Sequence, residues 1–339
     1  MFTQVMLKEL ECPACRGAIE WREKRSPSSP APADRHLACR ACDHSYPIIH
    51  GLPYFAPQLG EQKRTAVSFG FEWKGFWDGL FDRGDVFGLD FRETANYFLN
   101  SLGIRPSDLA GAKVLDAGTG SGRIPISIHS MGCCVYAIDI HESLPVVAER
   151  LRDLDAVTFF QADLMRLPFK DANFDFVWSS GVIMATPDAQ KAFRSIASKV
   201  RPGGKLFVSV YGKDRHHYRL FRHLLPFAHR FPPTVNYLVS AILAVPLYLA
   251  FNGILAWVRA WKHRKQPPYR ILGFSIENTR PKSFRSILLN LFDQLHPMFQ
   301  TEHSVREVRA WFEENGFEDL VVTESTGGMT AVRGTRRAN

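Results

Sequence analysis

The chain has 339 residues, 45% hydrophobic and 22% charged, with a formal net charge of +8. These are the proportions of an ordinary globular protein, long enough for one large domain or two smaller ones, and they exclude a disordered, collagenous or disulfide-scaffold chain. Six cysteines are too sparse for a stapled secreted protein, and the start MFTQVMLKELECPAC lacks a basic stretch followed by an apolar run, so a cytoplasmic setting is expected.

Residues 1–57 hold four of the cysteines and the Pro/Ser run SPSSPAPA. Cys12-Pro-Ala-Cys15 and Cys39-Arg-Ala-Cys42 are separated by 23 residues. Two such knuckles offer four thiolates in the tetrahedral set that structural zinc prefers, whereas a redox dithiol needs one pair only. With four sulfurs no ligand position stays open, so zinc is expected to be structural, and His36 and His44 are read as surface residues. The stretch SYPIIHGLPYF follows the second knuckle. With the cysteines it resembles the small zinc-ribbon family that accompanies methyltransferases, as activator subunits or fused domains, over residues 7–56.

Residues 58–111 are aromatic and helical in pattern: SFGFEWKGFWDGLF places Phe69, Phe71, Trp73, Phe76 and Trp77 within nine residues, and FRETANYFLNSLGI follows. This zone is expected to be a lid or linker, either over a ligand pocket or packed on a sheet edge, with Trp73 as a candidate ligand contact.

From residue 112 short apolar runs alternate with helical stretches. KVLDAG, VYAID, VTFF, FDFVW and KLFVSV predict five strands, and EDLVVTES and MTAVRG two more after the helix SVREVRAWFEENGF, whose Gly316 suits its C-terminal end. The alternation predicts an α/β fold: a doubly wound, mostly parallel seven-stranded sheet, with residues 112–211 forming its cofactor half and 301–339 its last strands. Cys133 and Cys134 read as small buried apolar residues.

The chemistry is concentrated where the strands end. In VLDAGTGSGR, Gly118, Gly120 and Gly122 turn a strand into a helix and let backbone approach a ligand. Dinucleotide-binding folds use a related turn, but an acid at Asp116 would repel a pyrophosphate at the helix N-terminus, whereas a sulfonium and ammonium ligand favours it. Asp139 closes the next strand, where a carboxylate can take ribose hydroxyls, and Asp163 follows in QADLMRLPF. Taken in order, with FDFVWSSGVIMATPDAQKAFRSIASKVRPGGKLFVSV, these motifs resemble the class I S-adenosylmethionine-dependent methyltransferases, in the type 11-like group that includes ubiquinone/menaquinone C-methyltransferases. The resemblance implies a Rossmann-like fold and S-adenosylmethionine as cofactor. It implies that Asp116 and the three glycines meet the methionine moiety, Asp139 the ribose and Asp163 the adenine, with Ser179 and Ser180 beside the sulfonium. Local roles also suit some of these: Asp163 could cap a turn, and the serines could bond loop backbone.

Methyl transfer is an in-line displacement that often needs no strong base, so no catalytic residue stands out. The Asn/Asp-Pro-Pro-Tyr signature of amine and nucleic-acid methylases is absent; SSGVIMATP stands there, with Met184 and Ala185 where related enzymes often carry a histidine. Tyr211, His296 and His303 remain as catalytic candidates.

Residues 212–300 break the rhythm. Between 212 and 265 lie nine Lys/Arg and one acid, Asp214; DRHHYRLFRHLLPFAHRF reads as a basic amphipathic helix, and Val235–Val258 carries no charge. Pro246, Asn236, Asn252 and Gly253 interrupt that run, and Trp257 and Trp261 rim its end. A helical hairpin over the acceptor pocket is expected, with peripheral contact to an anionic membrane or burial on the domain or in a homodimer as its two uses. The acceptor is expected to be a small or lipid-like biosynthetic molecule methylated at oxygen, nitrogen or carbon. An rRNA or tRNA methyltransferase with a zinc ribbon, and a cofactor-binding regulatory subunit, are the alternatives, nucleic acid fitting the uncharged run poorly.

Overall fold

The computed structural model describes residues 2–24, 34–56, 59–84, 87, 89–213, 228, 230–262, 270–271, 274–275, 282–323 and 328–338. Most of the amphipathic segment expected over 214–231, namely 214–227 and 229, and the whole Pro/Ser run at 26–33 lie outside them.

Strands β1 (Ile19–Lys24), β2 (Asp34–Cys39), β3 (Ser45–Ile49) and β4 (Leu52–Pro53) form an antiparallel sheet in sequence order. The main sheet holds β5 (Lys113–Ala117), β6 (Cys134–Asp139), β7 (Val157–Gln161), β8 (Phe174–Ser180), β9 (Val200–Tyr211), β12 (Phe317–Val322) and β13 (Met329–Arg336), in the order β12-β13-β9-β8-β5-β6-β7. β10 (Arg270–Ile271) and β11 (Phe274–Ser275) make a separate short hairpin. All seven expected strands are present. β5 through β9 run parallel, and β13 pairs antiparallel with β9. The parallel strands are buried on both faces, which is why they read as unbroken apolar runs.

The helices are α1 (Lys63–Trp77), α2 (Phe91–Leu102), α3 (Arg123–Ile128), α4 (Leu144–Arg150), α5 (Ala189–Ser198), α6 (Pro233–Lys262), α7 (Phe284–Leu295) and α8 (Val305–Glu314). Reciprocal capping boxes start α2, from Asp90 and Glu93, and α8, from Ser304 and Glu307. α6 is one continuous 30-residue helix that passes through Pro246, so the residues expected to interrupt it do not. The expected hairpin is instead α6 packed against α7, with the carboxamide of Asn252 donating to the Lys282 carbonyl and accepting from its amide. Cys133 is buried as expected; Cys134 is exposed, because it opens β6 at the sheet's rim.

The N-terminal sheet and the large sheet share a core. Leu10, Ile19, Leu37, Tyr46 and Phe55 pack in one cluster with Leu115, Phe160 and Phe169. The backbone is stitched across: Glu11 N donates to Pro168 O at 2.9 Å, Lys170 N to Glu9 O at 2.9 Å and Phe55 N to Gln161 O at 2.7 Å. Lys199, almost wholly buried at the end of α5, reaches Asp171 at 2.7 Å and Glu11 at 3.4 Å. Although burial raises the Asp171 carboxyl, its bonds to Lys199 and Ser198 hold it below its ordinary value.

Replacing Lys199 with alanine removes the buried cation between Glu11 and Asp171 and leaves them the exposed Arg16 guanidinium as their only cation. Loss of a buried pair costs about 3–5 kcal/mol; because Asp171 is half exposed, we expect roughly 2 kcal/mol, read as a lower urea midpoint. A change within 0.5 kcal/mol, on the order of an ordinary surface substitution, would show that the pair does not join the two sheets.

Candidate cofactor, acceptor and metal sites

The glycine turn lies between β5 and α3. Gly118 and Gly120 have φ of +99° and +52°. A Cβ on Gly118 would stand 2.3 Å from Val182, and one on Gly120 would stand 2.9 Å from the indole of Trp73. Glycine is therefore required at both, by backbone conformation and by space. Trp73, carried by α1, lies directly on the turn.

Asp139 ends β6 beside this turn. Its Oδ2 accepts from Gly120 N at 2.8 Å, and its Oδ1 from Ile140 N at 2.8 Å and His141 N at 3.3 Å. Three backbone donors fix the carboxylate and leave one acceptor position on Oδ2. Asp163 accepts from Gln62 Nε2 at 2.8 Å and Met165 N at 2.9 Å, so it does cap a turn, and it also ties down the residue preceding α1. Ser179 donates to Ala117 O, at the end of β5, at 3.0 Å; Ser180, half-buried, lies beside the Tyr97 hydroxyl.

Asp116, at the end of β5, is buried, and its Oδ2 has no hydrogen-bond partner. Burial pushes its carboxyl up to about 7; the Thr119 hydroxyl opposes the rise and the Asp139 charge adds to it. A second buried acid stands on α1. Glu72 is fully enclosed, its Oε1 is unpartnered, and its Oε2 is 2.5 Å from His296 Nε2. Burial, with the Asp139 charge assisting, holds Glu72 well above the usual carboxylate range. Burial likewise lowers His296 to about 4, with Asp293 opposing. Burial thus disfavours charge on both groups, which share one short contact between Oε2 and Nε2, while Nδ1 stands 2.7 Å from Ser68 Oγ. His296 sits between the rings of Phe69 and Phe292, at 4.6 and 4.5 Å.

Asp293 joins this pair, its carboxylate lying with Glu72 and His296 within 4.8 Å of one another. Tyr211 OH donates to Asp293 Oδ2 at 3.3 Å, and Gln294 Nε2 reaches both. Two of the three catalytic candidates, Tyr211 and His296, thus meet in one cluster. His303 adjoins that cluster through its amide, which donates to Tyr211 O at 2.7 Å, but its ring turns elsewhere, with Nε2 2.8 Å from Thr301 Oγ1 and the ring on Trp311. Sequence reasoning missed Glu72 and Asp293. The available signal was Glu72 itself, the one acid inside the aromatic run Phe69–Trp77.

The four knuckle cysteines converge as expected. Their sulfurs lie within 4.8 Å of one another, with Cys15–Cys42 at 3.3 Å, Cys15–Cys39 at 3.5 Å and Cys12–Cys42 at 3.7 Å. Four sulfurs about 2.3 Å from a zinc ion stand ~3.8 Å apart, so the cluster needs little expansion to take one. Gly17 N and Ala41 N point at Cys15 and Cys39 sulfurs from 3.4 and 3.3 Å, and Tyr46 OH lies 3.0 Å from Cys12 Sγ. His44 Nδ1 lies 3.4 Å from Cys42 Sγ, beside the set rather than in it. A Cβ on Gly17 would strike Cys39 Sγ at 2.8 Å, so the loop closes around the sulfurs only with glycine there.

Residues 115–208 match the family described as Methyltransferase domain. The chain is 36% identical over 103 residues to malonyl-[acyl-carrier protein] O-methyltransferase of Enterobacter lignolyticus, 30% of this chain and 40% of that one. It is 34% identical over 137 residues to the ubiquinone/menaquinone biosynthesis C-methyltransferase UbiE of Shewanella woodyi, 38% of this chain and 53% of that one. The chain thus spans about half the length, or less, of these relatives. A solved chain from the complex of the Haloferax volcanii Trm112 methyltransferase activator with a methyltransferase aligns at 16% identity and TM-score 0.45, covering 80% of this chain and 98% of that one. The glycine turn and the acids ending β5 and β6 fall within residues 115–208, the stretch that matches a methyltransferase domain.

Proposed function

We propose that the protein transfers the methyl group of S-adenosylmethionine to a small-molecule or lipid-like acceptor. The observation that carries this reading is the orphaned buried oxygen Asp116 Oδ2 at the glycine turn, under the repulsive charge of Asp139. A buried acid in such company calls for a cationic ligand. When bound, the cofactor supplies a methyl group already activated on a sulfonium. Asp116 and the turn at Gly118, Gly120 and Gly122 would hold its methionine end, Asp139 its ribose and Asp163 its adenine, with Trp73 closing over the turn and Ser179 and Ser180 alongside. Tyr211, Asp293 and Gln294 would orient the acceptor, beside the short Oε2–Nε2 contact of Glu72 and His296. The aromatic packing of α1 excludes water from the same space. Zinc on Cys12, Cys15, Cys39 and Cys42 would be structural. The relatives named for malonyl-[acyl-carrier protein] and for ubiquinone/menaquinone biosynthesis, and the absence of an amine-methylase signature after β8, favour this reading over an RNA substrate.

The test is methyl transfer from labelled cofactor into a cell extract divided into RNA, lipid and small-molecule pools. Label in the lipid or small-molecule pool is expected; label confined to RNA overturns the acceptor class, and none in any pool overturns the activity.

Asp139→Ala should weaken S-adenosylhomocysteine binding by ~1–3 kcal/mol, the loss of charge-assisted hydrogen bonds, measured by calorimetry. Binding should also depend on pH. Because Asp116 holds its proton up to about 7 when folded, against an ordinary 3.8, the ligand-free protein loses stability as pH rises between those values, and a cation must displace that proton below 7. Affinity should therefore rise with pH and level off above 7, with proton release at lower pH, and Asp116→Asn should flatten the curve. An unchanged curve in that variant would assign the titration to another group.

Metal analysis should find one zinc per chain. Because the knuckles share a core with the large sheet, Cys12→Ser with Cys15→Ser should lower the thermal midpoint of the whole domain and not unfold the ribbon alone. Two separate transitions, with the second unmoved, would contradict that coupling.

A further inference from the structure

α6 is built inside out for a helix in water. The stripe that packs on α7 and α1 carries Asn236, Ser240 and Ala244, all buried, with Tyr237, Ala241 and Asn252 beside them. The opposite stripe carries the large aliphatic residues: Leu238 is 59% exposed, Ile242 71%, Leu249 64%, and Trp257 at the far end 60%. Of the most apolar stretch of Pro233–Ile254 only 11% is buried. An ordinary surface helix shows the reverse arrangement, so the outward face is made for an apolar surrounding.

The occupant is identified by what flanks that face. At its N-terminal end lies a groove of about 470 Å³ lined by Lys63, Arg64 and Arg230, with one acid, Glu61, and the exposed ring of Phe231. At the other end the sequence continues Arg259, Lys262, Arg264, Lys265. An uncharged aliphatic strip between two basic ends, closed by tryptophan, matches an anionic bilayer: acyl chains at the centre, lipid phosphates at the rims. A second copy of this chain would bring the same positive ends together. A span is ruled out by geometry, because from Asn236 to Asn252 the helix stays docked on the domain for about 24 Å and has only one side to offer lipid. We propose that α6 lies in the plane of an anionic membrane surface and seats the protein there. The same seat serves the acceptor cluster: Tyr237 of α6 packs on Phe71 of α1, and Phe71 on Phe292, whose ring stacks on His296. A lipid-borne acceptor would then approach from the face that the membrane covers. This last point rests on the methyl-transfer reading; the seating itself does not.

The experiment is flotation of the full chain with vesicles of phosphatidylcholine alone or mixed with phosphatidylglycerol, at low and high salt. Binding should be strongest to the mixed vesicles, weaken with salt, and persist in part on the neutral ones through the aliphatic strip. Ile242→Asp with Leu249→Asp should reduce binding about tenfold or more. S-adenosylhomocysteine affinity and the thermal midpoint should stay as in the unsubstituted protein; if the double variant is unstable, Leu238→Asp alone replaces it. Absence of binding to both vesicles, or full binding by the variants, overturns the proposal. So does a dimer in light scattering that the same substitutions dissociate, which would make a second copy the occupant. A chain that floats but binds no cofactor would refute the methyl-transfer reading and leave the membrane seat standing.

Discussion

The ligand end of the molecule is organised around three carboxyl groups close to one another, two of them buried. Asp116 and Asp139 end neighbouring strands, and Glu72 is brought in by α1 under complete enclosure. Each is managed differently. Asp139 keeps its place through three backbone amides, Asp116 through a raised affinity for its proton, and Glu72 through a short contact with a histidine on which burial likewise disfavours charge. Much of the surrounding architecture follows from those three solutions. The glycine turn must be tight enough to aim an amide at Asp139, α1 must lie flat on that turn to enclose Glu72, and α7 must end where His296 can meet it.

The large features were legible in the sequence because they are local. A parallel strand covered on both faces needs a continuous apolar run, so KVLDAG or KLFVSV announces itself. The glycine turn and the paired knuckles are likewise short motifs with one stereochemical use each. What stayed hidden depends on distant chain segments meeting. Glu72 and His296 are 224 residues apart, and nothing local says that an acid in an aromatic helix will find a histidine after α7. Tyr211 and His296 could be named but not joined, since Asp293 connects them. Pro246 misled in the other direction: a rule about helix interiors suggested a break, and packing along α7 carried the helix through it. Cys134 was mistaken for its buried neighbour because a strand's first residue can face outward at the rim.

The N-terminal sheet is not an appendage. Its apolar side chains complete the cluster that covers β5, β6 and β7, and Tyr46 serves two structures at once, stacking near Phe55 while its hydroxyl meets a knuckle sulfur. At the edge of the large sheet Tyr54 bridges in parallel to Gln161 of β7. A small unit that could not bury a core alone thereby gains one, and the domain gains the cover it lacks.

Pro246 has an effect that reaches beyond the helix. Having no amide hydrogen, it leaves the carbonyl of Ile242 without its usual partner one turn back, on the turn whose side chain is the most exposed of the aliphatic strip. Hydrocarbon offers no donor to that oxygen, whereas water among glycerol and phosphate groups does. On the proposed membrane seat the helix would therefore have a preferred immersion, deep enough to wet its leucines with acyl chains and shallow enough to keep one oxygen hydrated, so that a single missing hydrogen would set the draught at which the protein floats.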